Sequence, residues 1–220
     1  MDIAERICRL KSELPDNVRV LAVSKLHSES IIMEAYNAGQ RIFGENRVQE
    51  LLPKYENLPN DIEWHFIGHL QANKVKYIAP FIHTIQSIDS LKLAETVNKE
   101  AEKCNRKIRV LLQIHIAEEE HKFGFSYDEA EDFFKTGTFC SLANLEISGL
   151  MGMATFTDNN VQIRSEFSSL NNFFQKIKTG YFAGSDSFNE LSIGMSDDYL
   201  IAVEEGSNMI RLGSKLFGVR

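Results

Sequence analysis

The chain has 220 residues and a formal net charge of -7, long enough for one sizeable core. It is too acidic, and too poor in runs of Lys and Arg, for nucleic acid or an anionic membrane to be its main partner. Its three cysteines, Cys8, Cys104 and Cys140, are scattered and odd in number, which fits a reduced compartment rather than a disulfide framework or a zinc site. No apolar run reaches the length that spans a bilayer, so a cytoplasmic protein is expected.

The N-terminal stretch MDIAERICRLKSEL alternates charged and apolar residues at helical spacing and reads as a helix, not a signal peptide. A first strand follows at 19–24 (RVLAVS), and Ser28 or Ser30 then caps a helix that Gly39 ends. Further strands are predicted at 41–46 (RIFGEN), 63–68 (EWHFIG) and 83–88 (HTIQSI). Ser90 opens a helix with the stripe Leu91, Ala94, Val97 and Ala101. The strands 109–116 (RVLLQIHI) and 146–153 (EISGLMGM) precede a clear helical stripe, Ile163, Phe167, Leu170, Phe174 and Ile177. A loop-like segment, 179–187 (TGYFAGSDS), leads to the last strands at 189–194 (NELSIG) and 209–213 (MIRLG).

Strands alternating with helices predict an α/β fold with a parallel sheet. Eight strands also close a (β/α)8 barrel of the TIM type, which commonly runs to about 250 residues. The competing arrangement is an open doubly wound sheet. No linker, low-complexity tract or Pro/Gly-rich hinge divides residues 1–220, so a single domain with an extra N-terminal helix is expected.

In such a barrel the site lies at the carboxyl ends of the strands. The sequence places there Lys25, Asn46, His65 with Gly68, His115, Met153, Ser192 to Ser196, and Arg211 to Ser214. Lys25 shares a strand face with Leu21 and Val23, so its amine points inward if they do. A lysine at a strand end is ordinarily a solvated side chain; held in a pocket it is a Schiff-base amine. SIGMSDD (192–198) and RLGSKLFG (211–218) each set glycine beside a hydroxyl residue, a combination that lets backbone N–H groups approach a phosphate. Asp197 and Asp198 then begin a helix, where their charge suits the dipole.

A lysine on the first strand, an anion cradle on the last two and Arg211 between them point to pyridoxal 5'-phosphate (PLP). Arginine facing the pyridine nitrogen cannot give up a proton, which leaves the ring a weaker electron sink. His65 and His69 are four residues apart, but they fall on a strand and its turn without an HExxH motif, so no metal site is expected.

In order and spacing, AVSK (22–25), FGENRVQE (43–50), WHFIGHLQANK (64–74), GLMGM (149–153), SIGMSDD and RLGSKLFG resemble the YggS/PROSC family, the PLP homeostasis proteins. The resemblance implies a PLP-bearing barrel like the N-terminal domain of alanine racemase, with PLP held as an internal aldimine on Lys25. It further implies phosphate contacts from Ser192, Gly194, Met195, Ser196, Gly213 and Ser214, with Arg211 opposite the pyridine nitrogen and Asn46 beside the ring. It leaves the role of His65 open. His115 departs from the pattern, since many relatives carry asparagine there. Lys74, Lys122 and Lys215 are surface lysines open to a second PLP.

Alanine racemases and related decarboxylases resemble this barrel but continue into a β-rich domain, which in the racemase supplies a catalytic tyrosine across a dimer interface. Racemisation needs acid/base groups on opposite faces of the substrate's α-carbon. Here the sequence stops soon after the last strand, and Tyr36, Tyr55, Tyr77, Tyr127, Tyr181 and Tyr199 all fall in predicted helices or loops. The expectation is a monomeric PLP-binding protein of vitamin B6 homeostasis, without efficient turnover and with no catalytic residue. Its partners are then PLP and, as recipients, apo forms of PLP enzymes. The alternatives are a PLP enzyme with weak racemase or lyase activity on an amino acid, and a cofactor-independent Schiff-base aldolase.

Overall fold

Parallel strands close into a barrel in a computed structural model that describes residues 2–119 and 123–218; Lys122 lies outside the described residues. In chain order they are β1 Arg19–Val23, β2 Ile42–Glu45, β3 Glu63–Phe66, β4 Thr84–Ile88, β5 Ile108–Ile114, β6 Leu145–Gly152, β7 Glu190–Ser192 and β8 Met209–Leu212. Each pairs with the next, and β8 returns to β1 with Leu21 opposite Arg211. That closing ladder decides between the barrel and the open sheet, because it leaves no strand edge unpaired.

The helices are α1 Ile3–Glu13, α2 Glu29–Asn37, α3 Val48–Asn57, α4 Val75–Ile78, α5 Leu91–Lys103, α6 Tyr127–Lys135, α7 Asn160–Tyr181, α8 Tyr199–Glu204 and α9 Ser214–Phe217. The extra N-terminal helix is α1, opened by a capping box between Asp2 and Glu5 and packed on α2 and α9. Ser28 stands at the start of α2, with its hydroxyl on Ser30 rather than on the backbone, and Gly39 follows the helix with φ +88. Ser90 caps α5, accepting from the Leu93 amide at 3.3 Å. Leu91 is exposed and Leu93 takes its place beside Ala94, Val97 and Ala101, four residues before Val97. The α7 stripe is buried throughout, and the helix runs on to Tyr181, so residues 179–181 of the expected loop are helical. Among the described residues no helix is long and apolar enough to cross a membrane.

Strand alternation sorts the apolar residues into two cores. Ala22, Phe43, Trp64 and Phe66 belong to the large cluster between strands and helices. Leu21, Val23 and Met209 form a separate cluster inside the barrel, with Ile42 and Ile67 packed against it. Gly44 makes room for that interior packing: a Cβ there would stand 2.3 Å from Leu21 Cδ2.

Candidate cofactor site

At the carboxyl end of the barrel the same alternation carries Lys25 into a cavity of about 530 Å³. Asn46, Met153, Met195, Ser196, Arg211, Gly213 and Ser214 line it with Lys25, over Val23 and Ile67, and Phe156 stands at its edge. Ser192 and Gly194 do not line it. His115 is also elsewhere, with Nε2 on the Glu119 carbonyl at 3.0 Å.

β1 stops at Val23, so Lys25 sits in a turn closed by the His27 amide donating to the Ser24 carbonyl at 3.1 Å. The third residue of that turn, Leu26, has φ 63. Glycine or asparagine is the usual occupant of such a position, and a side chain there costs about 1–2 kcal/mol. Behind the turn lies a buried charge cluster. Lys54 Nζ donates to the Ser24 carbonyl at 2.9 Å, to Glu45 Oε1 at 2.7 Å and to Glu50 Oε1 at 3.2 Å. Burial pushes the Glu45 carboxyl above its ordinary range, against the opposing pull of Lys54 and the Ser24 hydroxyl. Sequence reasoning passed over Glu45, Glu50 and Lys54. Their one local signal is the i,i+4 spacing of Glu50 and Lys54.

Across the cavity, Gly194 has φ +96, and a Cβ there would fall 2.5 Å from Ala202 Cβ, so this glycine serves the close seating of α8. The amide of Met195 donates to Asp198 Oδ1 at 2.5 Å, and burial raises the Asp198 carboxyl. Gly213 N–H donates to Ser196 Oγ at 3.4 Å, which brings the two glycine–serine turns together at one wall. Asn46 Oδ1 is buried and has no hydrogen-bond partner among the described residues.

Arg211 is buried on β8 and bridges three strands. Its Nη1 donates to the Ser192 carbonyl at 2.7 Å and to Ser192 Oγ at 2.8 Å, and its Nη2 donates to the Gly152 carbonyl at 2.8 Å. Burial brings the guanidinium down to about 10, so it stays protonated at neutral pH. The Ser192 hydroxyl is thus committed to the barrel interior. It donates in turn to Gln86 Oε1 at 2.7 Å, and Gln86 Nε2 reaches His65 Nδ1 at 2.8 Å and Met209 Sδ at 3.0 Å.

Because arginine only donates, this chain has one direction: Arg211 to Ser192, Ser192 to Gln86, Gln86 to His65. Neutral His65 therefore carries its proton on Nε2. At the amino end of the barrel Glu63, His65 and His83 bring possible ligand atoms within 4.8 Å of one another. Gln86 engages the Nδ1 of His65, and Nε2 is buried without a hydrogen-bond partner among the described residues. His69 is separately engaged by Asp89 Oδ2 at 2.9 Å and by the Phe123 ring.

Burial pushes His65 well below the ordinary histidine value of 6.5, and it lowers His83 too. Below pH 6.5 the unfolded chain then takes up protons that the folded chain refuses, so stability falls with pH, at up to about 1.4 kcal/mol per unit for each such group. The urea midpoint is expected to drop between pH 7.5 and pH 5.5 (about one unit either side of a free histidine), and to drop less in His65→Gln. Equal pH slopes in the two proteins would contradict this assignment.

A closed parallel barrel with a lysine, an arginine and two glycine–serine turns around one cavity at its carboxyl end is the cofactor-bearing class of (β/α)8 fold. The family model for the alanine racemase N-terminal domain matches residues 2–220. The chain is 36% identical to the pyridoxal phosphate homeostasis protein of Aquifex aeolicus, over 98% of this chain and 93% of that one. It is 40% identical to the protein of that name from Synechocystis sp., over 94% of each. The structure of PipY from Synechococcus elongatus with PLP bound superposes with a TM-score of 0.89 at 35% identity, covering 99% of this chain and 100% of that one. The chain belongs to the pyridoxal phosphate homeostasis protein family, within the alanine racemase N-terminal domain fold.

Proposed function

We propose that this chain holds PLP in the Lys25 cavity, attached through the lysine amine, and serves PLP homeostasis without efficient turnover. The observation that carries the reading is the convergence of Lys25, Arg211, Ser196, Gly213 and Ser214 on one cavity, in a family whose member PipY was solved with PLP bound. The residues fit the group. Asn46 Oδ1 is a buried polar atom in want of a partner, and a Cβ at Gly213 would meet nothing nearer than Val23 O at 3.6 Å, so protein packing leaves that space to a ligand.

When bound, PLP supplies an aldehyde for capture by an amine and a ring that accepts electrons. The chain's own part is to present the Lys25 amine, to offer Ser196, Ser214 and the Gly213 backbone to the phosphate, and to set Arg211 against the pyridine nitrogen as a donor that keeps its proton. The name its relatives carry, pyridoxal phosphate homeostasis protein, supports a holding role over racemisation. The recipients this reading implies are apo forms of PLP enzymes, and its working unit is a monomer.

The test is a PLP titration followed by visible absorption, borohydride reduction and peptide mapping, in the wild type and in Lys25→Ala. The wild type is expected to develop the band of lysine-bound PLP and to carry one reduced adduct on Lys25; Lys25→Ala is expected to lose both. Equal labelling of the two proteins would sink the attachment. Sustained turnover of an amino acid by the loaded wild type would replace the holding role with a weak racemase or lyase.

A further inference from the structure

We propose that Lys54, with Glu45 and Glu50, is a positioning device for Lys25: it clamps the turn that aims the amine. The inference rests on Lys25 being the attachment residue. Both peptide groups flanking Lys25 are held from outside the turn. On one side the Ser24 carbonyl accepts from Lys54 Nζ at 2.9 Å; on the other the Leu26 N–H donates to the Glu50 carboxylate. Lys54 joins the two by bonding Glu50 Oε1 at 3.2 Å and Glu45 Oε1 at 2.7 Å, and Glu45 Oε1 also takes the Ser24 hydroxyl at 2.7 Å.

Alternation puts this clamp and its load on opposite sides of the barrel wall. Ala22 packs in the outer core, and Ser24 bonds to Glu45 on the same outer side. Leu21 and Val23 lie in the inner cluster, and Lys25 continues their side into the cavity. None of Glu45, Glu50 and Lys54 lines that cavity. Their bonds fall on the peptide groups either side of Lys25.

Packing does not account for the cluster. Buried charges lose hydration, and apolar side chains of similar volume commonly fill such a site as well or better; here one oxygen, Glu45 Oε2, is even left without a hydrogen-bond partner among the described residues. What charges can do and apolar groups cannot is hold the N–H and C=O of a turn. This turn needs holding, because Leu26 sits at φ 63, and such conformations persist where the surroundings over-determine them. With the clamp removed, Leu26 relaxes toward negative φ and Lys25 swings off its line.

The experiment uses the full chain and PLP as the probe. Lys54→Met keeps an unbranched side chain one atom shorter and removes the donor. Its apparent Kd for PLP is expected to rise roughly tenfold or more, as the population with a correctly aimed amine shrinks, and borohydride is expected to trap less adduct on Lys25. Adding Leu26→Gly should restore part of that affinity, since glycine takes positive φ without steric cost. Phe167→Leu, a buried change in α7 of comparable effect on the melting temperature, should leave Kd unchanged. Should Lys54→Met fail to fold, Glu50→Ala removes the acceptor of the Leu26 amide and is expected to weaken PLP in the same direction. A folded clamp variant with wild-type Kd, or a loss that Leu26→Gly does not touch, overturns the proposal. A reduced adduct on some other lysine in the wild type would instead remove the attachment reading on which the proposal stands.

Discussion

Gly149→Ala is expected to cost about 4 kcal/mol or more, enough to leave little folded protein, because it adds one atom at a place with no room. Gly149 pairs with Glu190 where β6 meets β7. A Cβ on it would lie 1.7 Å from the Glu190 carbonyl oxygen, a backbone atom that cannot rotate away. Glu190 is itself tethered, its carboxylate bonded by Arg19 at 2.8 Å and approached by Arg109 at 3.6 Å. On its other side β6 carries an extra residue, Ser148, between the pairs Val110–Ile147 and Leu111–Gly149. Such a bulge bends the strand, and the bend presses Gly149 into its neighbour. Gly180 is the matched contrast. It lies in the last turn of α7 with nothing within 4 Å of its would-be Cβ, so Gly180→Ala is expected to gain a few tenths of a kcal/mol, up to about 0.5 kcal/mol, from helix propensity. Urea midpoints of the two variants, or soluble yield where Gly149→Ala does not accumulate, read the difference.

The contrast marks where sequence reading works on this chain. Strand positions came out to within a residue or two because each is an apolar run bounded by turn residues, and Lys25, Asn46 and Arg211 followed from strand-end position and period-two alternation. Both signals are local. Gly149 appeared only as part of a family motif, since the bulge is set by the register against β5 and the carbonyl that requires glycine belongs to β7. Ser192 was expected at the phosphate on the strength of its neighbours in SIGMSDD, whereas Arg211 and Gln86 draw it into the barrel interior. Beyond the i,i+4 spacing of Glu50 and Lys54, Glu45 and Lys54 gave no signal, because the groups they hold belong to Ser24 in the turn after β1, 21 and 30 residues away. The sequence also set Leu91 on the buried stripe by spacing alone; the choice between Leu91 and Leu93 depends on how the first turn of α5 meets the strands.

Arg211→Met is expected to lower stability by about 3 kcal/mol, since it leaves the Ser192 carbonyl, the Ser192 hydroxyl and the Gly152 carbonyl buried without their donor. Relief of guanidinium desolvation offsets part of that loss and keeps the figure below the sum of three orphaned acceptors. A packing role would end there. Arg211 also sets the direction of the chain through Ser192 and Gln86 to His65, and that has its own readout. With no donor from Arg211, the Ser192 hydroxyl is free to accept from the Gln86 amide, Gln86 can present its oxygen to His65 instead, and the His65 proton moves to Nδ1. Nitrogen NMR shifts of His65 are therefore expected to report an Nε2-protonated ring in the wild type and a mixed population in Arg211→Met. Arg211→Lys keeps the charge but loses the planar fork, so it should hold the tautomer while recovering only part of the stability. An unchanged His65 tautomer in Arg211→Met would confine Arg211 to its local bonds. A changed one means that the cation lining the Lys25 cavity fixes a proton at the far end of the barrel, and that Ser192 and Gln86 are retained as the polar path between them.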